Sequence, residues 1–586
     1  MYEEYEIRQV PLLLKSSKAK IDSMLKANGL RSDDFDYYAG VFKFREDELL
    51  GGGGLKGNVI KCIAVGNELR EHQMGLKLVS HLINIAVGNG HETVRLFTKP
   101  ENKLIFESIG FTQIASSPKA ILMEIGQNGI AAYCKYLSIL KKEGKNGVIV
   151  MNANPFTHGH RYLIEQAAQE VDNLYVIAVK EDKSLFSYEE RKAMIADGCQ
   201  NLKNVTVCEG SDYVISAMTF PTYFLKELSD ASDTQMLLDL DIFSHHIAHA
   251  LNASIRFVGT EPADQLTNRY NELMSETLPR QGIEVRIVDR LANQGGVVSA
   301  SLLRRQIEQG CFSAVAQLAY PTTIPYVLGF AAADALKQEL DLTPKPGLVD
   351  KNDSGAHEDM DYDLMNASIA ALRPCFIKTA KLGYQQDLPK IKDIIEIGLK
   401  AEEEMYKATN GVNTHKGALF SIGLATIVAS NLYFQHKNID ETALRNDIAA
   451  VACQIPNTNG THGNDAVNRF HIKGALQNAQ EGWSELFGKW LPFLRQHHDT
   501  DDDQHKTLLY IMTTLDDTNV YHRKGEKTVQ SVKKRSHRSP QRLLHREAGR
   551  DEHAICPGKH LAGRLRGHAF ADHLLKIHII LIQNIH

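Results

Sequence analysis

The chain is 586 residues long, and at about 100 to 200 residues per domain that length asks for three or four domains. Hydrophobic residues make up 43%, charged residues 23%, and the formal net charge is -5. That balance is ordinary for a soluble globular enzyme and gives no electrostatic case for a nucleic-acid partner. The N-terminus MYEEYEIRQV has no basic stretch leading into an apolar one, so no secretory signal is expected and a cytoplasmic location is. The eight cysteines (Cys62, Cys134, Cys199, Cys208, Cys311, Cys375, Cys453, Cys556) form no CxxC pair, which fits reduced thiols better than disulfides or zinc. The longest uncharged stretch, Gly417 to Phe434, approaches membrane-spanning length but carries Ser, Thr and Asn, so a buried helix is expected and no membrane partner.

In chain order, VIKCIAVGN (59–67) reads as a strand, GLKLVSHLINIAVGNG (75–90) as a helix, TVRLFTKP (93–100) as a strand and ENKLIFESIGF (101–111) as a short helix. LLGGGGLKG (49–57) reads as a glycine-rich tight bend beside a strand. A second region opens with the strand GVIVMNAN (147–154) and the helix HRYLIEQAAQEV (160–171). It goes on through LYVIAVKED, NVTVCEG, SIRFVGTEP and VRIVDR. Such alternation implies a parallel, doubly wound α/β sheet. Past YPTTIPY (320–326) the strand signal stops, and DIIEIGLKAEEEMYKAT and ETALRNDIAAVACQ carry helical periodicity, so the third region is expected to be all-α.

The stretch NPFTHGH (154–160) lies between a strand and the next helix, where ligands bind in a doubly wound sheet. A helix N-terminus offers unpaired N–H groups and partial positive charge to phosphate. Gly159 permits close backbone approach, Asn154 and Thr157 flank the turn, and His158 and His160 can donate hydrogen bonds to phosphate oxygens. Attack on the α-phosphorus of ATP builds charge on those oxygens and on the leaving diphosphate, and fixed donors stabilise it. The bland reading is a helix start with two surface histidines; the strand, Pro155, the spacing and the helix together favour the functional one. Lys180, closing LYVIAVK, is a phosphate contact by position alone.

NPFTHGH resembles the HxGH motif of the nucleotidylyltransferase superfamily, and MNANPFTHGHRYLIEQAA resembles citrate lyase ligase. FTKPENKLIFESIGF, GTEP (259–262) and VVSASLLRRQI (297–307) agree with that family, and the resemblance covers roughly residues 1–325. It implies that Ser299, Ser301 and Arg304 bind the triphosphate, with Ser299 capping a helix. It further implies that ATP and acetate give acetyl adenylate, whose acetyl group passes to the prosthetic-group thiol of the citrate lyase acyl carrier subunit. The first region is similar to an N-acetyltransferase (GNAT) fold. Its Arg/Gln-x-x-Gly-x-Gly/Ala turn corresponds here to REHQMG, Arg70 to Gly75, with Gln73 where the first glycine would stand. A side chain there obstructs close approach, so docking of a coenzyme A-like arm at Arg70 and Gly75 is expected rather than independent acetyl transfer.

In the all-α region, Thr343 to Met365 gathers Asp350, Glu358 and Asp359 with His357 among them, and the hard carboxylate oxygens suggest a Mg²⁺ site holding a triphosphate; a solvated acidic loop is the bland alternative. Lys345 and Lys416 would neutralise phosphate charge, and Asp516 and Asp517 form an adjacent pair. TPKPGLVD, SGAHEDM, THKGALF and TLDDTN together resemble the triphosphoribosyl-dephospho-coenzyme A synthase family over about residues 326–530. The resemblance implies that the 2'-hydroxyl of dephospho-coenzyme A attacks C1' of the ATP ribose and adenine leaves. Carboxylates such as Asp516 and Asp517 would stabilise the oxocarbenium-like transition state.

The expected organisation is therefore a GNAT-like α/β domain (1–130), a Rossmann-like nucleotidylyltransferase domain (140–325), an all-α synthase domain (326–535) and an atypical basic tail (536–586). That tail holds about a third of the 25 histidines and reads as translated out of frame from somewhere between about residues 521 and 540. The leading reading is a bifunctional enzyme that makes the prosthetic-group precursor and acetylates the finished arm, with ATP, acetate and dephospho-coenzyme A as substrates. A carrier-binding accessory protein with decayed sites, and an adenylyltransferase acting on pantetheine phosphate or nicotinamide mononucleotide, are the alternatives.

Overall fold

The computed structural model describes residues 5–66, 73–180, 184–214, 228–260, 264–293, 296–309, 312–345, 348–355, 357–436, 439–456, 473–496 and 501–514. Arg70, Asp516, Asp517 and the tail from 536 onward lie outside the described residues. By contacts the chain divides into two compact units: one runs to Val298 without Pro155–Thr157, and the other takes Pro155–Thr157 and the chain from Ser299 onward.

Within the first unit, seven strands form a mixed sheet in the order β1-β2-β3-β4-β5-β7-β6. They are β1 (Tyr5–Gln9), β2 (Tyr37–Lys43), β3 (Leu49–Lys56), β4 (Val59–Val65), β5 (Thr93–Thr98), β6 (Thr112–Ser116) and β7 (Ile121–Gly126). Neighbours are antiparallel except β4 and β5, whose parallel pairing joins Val59 to Arg95 and Ile60 to Leu96. The helix Met74–Gly88 sets Leu78, Val79 and Leu82 against Val41, Ile60 and Leu96, so the apolar spacing of GLKLVSHLINIAV is used as the sequence suggests.

The glycine run is a correction. Gly51 to Gly54 lie inside β3, paired on both edges, and do not make a bend. Glycine is required there for packing: a Cβ on Gly52 would come within 2.5 Å of the Tyr38 ring and 2.8 Å of the Ala39 carbonyl, and one on Gly54 within 2.1 Å of the Phe35 ring.

The unit's second sheet has the order β10-β9-β8-β11-β12, every pair parallel. It contains β8 (Asn146–Met151), β9 (Asn173–Ala178), β10 (Val205–Cys208), β11 (Ala253–Gly259) and β12 (Glu284–Val288). The chain starts at the centre with β8, winds outward to β10, returns to β11 beside β8, and ends at β12. The strand order therefore reverses between β8 and β11, which creates the ligand-binding crevice of such sheets at their carboxyl ends. A shared core joins the two sheets, with Phe97, Ile114 and Leu122 in one cluster with Tyr175, Ile177 and Leu251.

Among the described residues from Ile324 onward the second unit is helical, as the periodicity indicates. Its core collects Leu336, Leu340, Met365, Leu372, Phe376, Met405 and Ile422. Lys416–His436 is long and apolar enough by length and composition to cross a membrane, yet 83% of its apolar window is buried inside the protein. It is a core helix, with buried residues on every face from Ala418 to Tyr433. The six described cysteines, Cys62, Cys134, Cys199, Cys208, Cys375 and Cys453, are free thiols.

Candidate functional site

The first site grows from the end of β8. Asn154 is buried and its Oδ1 accepts from the backbone N–H of Phe186 at 3.2 Å. Phe186 precedes a capping box in which Ser187 and Glu190 close the start of the helix Tyr188–Cys199. One turn into that helix stands Arg191, fully buried, donating to the Asn152 carbonyl (2.9 Å) and Oδ1 (2.6 Å), the Val179 carbonyl (2.8 Å) and the Phe186 carbonyl (3.2 Å). A single guanidinium thus ties together the carboxyl ends of β8 and β9. Sequence reasoning missed it; the signal was its place one turn before the apolar pair Met194 and Ile195, on the helix's buried face.

The helix His158–Glu170 begins directly at the motif. His158 and His160 are partly buried, and burial lowers the pKa of both. His160 is pushed down to about 4, first by burial and then by the nearby Arg290 guanidinium. Both imidazoles are neutral at pH 7, so each can offer an N–H donor and neither carries a positive charge. Arg290 lies two residues past β12, and its backbone N–H donates to Thr260 Oγ1 at 3.1 Å, just past β11. His160 and Arg290 therefore meet at the carboxyl edge where β8, β11 and β12 end. Arg290, inside VRIVDR, is a second residue that sequence reasoning passed over.

Phe156 and Thr157 are gripped within the second unit. Thr323 Oγ1 donates to the Phe156 carbonyl at 2.9 Å, Phe156 and Tyr320 pack edge to face at 5.8 Å, and Thr157 bridges to Ala319. In the same unit Ser299 caps the helix Ala300–Glu308 by accepting from the Leu302 N–H, and Arg304 donates to Ser301 Oγ at 3.2 Å.

Lys180 lies two residues beyond β9, where its ammonium pairs with Asp212 at 3.3 Å in a cleft of its own. Gly75 sits in the first turn of Met74–Gly88, and a Cβ there would meet nothing closer than Val65 at 3.7 Å. Gln73 has left-handed backbone, φ 54°, a conformation that favours glycine.

In the second unit the acidic segment does not assemble as expected. Asp350 is buried with its carboxylate occupied by the backbone N–H groups of Lys345 (2.8 Å), Asn352 (2.7 Å) and Asp353 (3.2 Å), while Glu358 and Asp359 are exposed. Among the described residues no group of three or more His, Cys, Asp or Glu is placed to hold a metal ion, and Asp350, His357, Glu358 and Asp359 are not gathered into one. Lys345 is buried and its ammonium is 2.6 Å from Glu339, likewise buried; Lys416 is half-exposed and paired with Glu402 at 2.5 Å. Beside Lys345 lies His415, whose Nδ1 is 2.8 Å from Ser368 Oγ, which also accepts from Thr414 Oγ1 at 2.8 Å. Glu339, Ser368 and His415 escaped sequence reasoning, although His415 stands inside THKGALF next to the lysine that was chosen.

Two family models match in succession: "Citrate lyase ligase C-terminal domain" over residues 146–327 and "ATP:dephospho-CoA triphosphoribosyl transferase" over 326–555. A "[Citrate [pro-3S]-lyase] ligase" of Klebsiella pneumoniae is 39% identical over 335 residues, spanning 56% of this chain and 98% of the relative. A "Probable 2-(5''-triphosphoribosyl)-3'-dephosphocoenzyme-A synthase" of Streptococcus mutans is 33% identical over 235 residues, spanning 35% of this chain and 78% of the relative. The chain belongs to both families, citrate lyase ligase and triphosphoribosyl-dephospho-CoA synthase. The ligase of Escherichia coli K12 is similar over 53% of the chain and 90% of its own length, at 37% identity. His158, His160 and Arg290 fall within the ligase match, and Glu339, Lys345 and His415 within the synthase match. Among solved structures, FeeM, an N-acyl amino acid synthase from uncultured soil microbes, covers 21% of the chain and 90% of its own at 14% identity. Its TM-score of 0.17 is too low to argue from.

Proposed function

We propose that the chain is a bifunctional enzyme of citrate lyase activation. Its ligase part uses ATP and acetate. A carboxylate oxygen of acetate attacks the α-phosphorus, the bond to diphosphate breaks, and acetyl adenylate forms. Neutral His158 and His160 donate N–H groups to the phosphoryl oxygens as charge grows there, Arg290 adds a fixed positive charge, and Asn154, Thr157 and Gly159 shape the turn. Ser299, Ser301 and Arg304 hold the triphosphate end. The thiol of the lyase's acyl carrier prosthetic group then attacks the acetyl carbonyl and AMP leaves. The N-terminal mixed sheet docks that arm.

The synthase part joins ATP and dephospho-coenzyme A with release of adenine. The dephospho-coenzyme A 2'-hydroxyl attacks the ribose C1', and Asp516 and Asp517 stabilise the positive charge there. Lys416, exposed enough to leave Glu402, neutralises phosphate; Lys345, locked to Glu339, shapes the site from behind. The described residues of the acidic segment 350–359 gather no group of three metal ligands, and no step is assigned to Mg²⁺.

The observation that carries this reading is that one chain spans 98% of the ligase relative and 78% of the synthase relative. The test is an exchange of diphosphate into ATP, run with acetate, with pantetheine phosphate and without acceptor, beside an assay for adenine release from ATP and dephospho-coenzyme A. Exchange that needs acetate supports the ligase; exchange that needs pantetheine phosphate instead refutes it and indicates a cofactor-forming adenylyltransferase.

A further inference from the structure

A cleft of about 410 Å³ opens between the first unit's two sheets, lined among others by Asn58, Arg95, Asn128, Lys180, Asp212 and Tyr213. Its floor is Arg95 on β5, only 9% exposed. The guanidinium donates to the Asp212 carbonyl (3.1 Å), to Asp212 Oδ2 (3.2 Å) and to Asn58 Oδ1 (2.9 Å), and lies 5.2 Å from the Tyr213 ring centroid. Its Nε has no partner among the described residues. On the other side of the same carboxylate stands Lys180, 3.3 Å from Asp212 Oδ1. Two cations thus converge on one carboxylate, and that carboxylate is half-exposed while the arginine beneath it is buried. The arrangement offers a place for one oxyanion, with Asp212 filling it from within.

The rest of the lining suits a chain of alternating donors and acceptors. Glu92 also lines the cleft and accepts from Asn128 Nδ2 at 2.6 Å, Asn58 and Asn128 bring amides, and Tyr133 and Tyr213 add aromatic walls. A ligand anionic along its whole length would be repelled by Glu92; a chain with its phosphate confined to one end and amide groups along its length, like the pantetheine half of a coenzyme A-like arm, would not. Lys180 stands two residues beyond Ala178, which pairs with Met151 at the end of β8. The cleft therefore opens at the same carboxyl edge of the sheet as the His158 helix.

We propose that this cleft, with Arg95 and Lys180 as phosphate ligands and Asp212 as the displaceable internal anion, holds the phosphopantetheine portion of the coenzyme A-like arm whose thiol accepts the acetyl group. The inference rests on the ligase reading above. It places the arm between the two sheets and not at Arg70 and Gly75, where the sequence leads one to expect it. When the arm's phosphate enters, Asp212 turns out to solvent and the two cations exchange one oxyanion for another.

The experiment is calorimetric titration of the full chain with 4'-phosphopantetheine, with pantetheine lacking the phosphate, and with inorganic phosphate. 4'-Phosphopantetheine is expected to bind, and to bind more tightly than either other probe. Asp212→Asn removes the internal competitor and should tighten it about tenfold, whereas Arg95→Gln should weaken it by at least that factor. Should Arg95→Gln fail to fold, the half-exposed Asp212→Asn still decides. Equal binding of pantetheine and 4'-phosphopantetheine, or no gain in Asp212→Asn, overturns the proposal. The acetate-dependent exchange contains no arm, so the two readings fail separately. A chain that exchanges but does not bind 4'-phosphopantetheine refutes this inference alone, and one that binds without exchanging refutes the ligase reading alone.

Discussion

The ammonium of Lys345 and the carboxylate of Glu339 meet at 2.6 Å with both side chains almost wholly out of water. Such a pair contributes little net stability, but removing one partner strands the other in a medium that cannot solvate it. Glu339→Gln should cost the second unit about 3 to 5 kcal/mol, seen as a lower denaturant midpoint. Combining it with Lys345→Met should recover most of the loss. A single variant as stable as the parent would mean that water already reaches the pair.

His415 gives the same unit an acid limb. Burial first, and then the Lys345 ammonium, hold its pKa down to about 3. In the unfolded chain an imidazole titrates near about 6.5, so between these values the unfolded state binds a proton that the folded state refuses. Stability is complete above about pH 6.5 and falls as the pH drops toward 3, by at most about 1.4 kcal/mol per pH unit. Folding free energies of His415→Asn and the parent, compared from pH 7 to pH 4, should converge toward the acid end. Parallel curves would show that His415 protonates freely in the native state.

At the ligase site, His158→Ala and His160→Ala should each lower acetate-dependent diphosphate release on the order of 100- to 1000-fold, as for other fixed donors to a transition-state oxyanion. Circular dichroism should be unchanged. Near-parental turnover in a folded double variant would reduce NPFTHGH to a structural turn.

Asp516 and Asp517 lie outside the described residues, and kinetics can place them. Asp516→Asn together with Asp517→Asn should abolish adenine release from ATP and dephospho-coenzyme A, with acetate-dependent diphosphate release retained. Loss of both activities would tie the pair to overall folding.

Much of the architecture was legible because it rests on periodicity: the parallel strands from GVIVMNAN to VRIVDR, and the helices after Pro321, follow their apolar spacing. The glycines of β3 were misread because glycine signals a bend locally, and only the rings of Tyr38 and Phe35 packed across the sheet reveal the other reason for having no side chain. The site was legible in part. His158 and His160 announce themselves by spacing, but Arg191, Arg290 and Glu339 matter through partners far away in sequence. Asp350 misled for a related reason: a carboxylate in an acidic run looks free until its three backbone donors are seen.

The β3 glycines also make a direct stability prediction. Gly52→Ala would press a methyl group into the Tyr38 ring and the Ala39 carbonyl, and overpacking of this kind costs about 1 to 3 kcal/mol. Gly53→Ala, whose tightest contact is the end of the Leu82 side chain at 3.0 Å, should cost less in the same melting experiment. Equal losses would show that strand entropy, and not the tyrosine, sets the requirement.

The core helix Lys416–His436 bears on how the protein is made. It is buried on all faces, and in the folded unit Ile324–Asp341, Tyr362–Gly383 and Ile391–Ala408 before it, and Glu441–Ala452 after it, cover those faces. On the ribosome, the three earlier helices emerge first and the covering helix last. For that interval a 21-residue apolar segment has one side without a neighbour, and it resembles a membrane insert to any factor that samples nascent chains. The second unit can close only after residue 452 has left the exit tunnel, whereas the parallel sheet, complete at Val288, can already be folded by then.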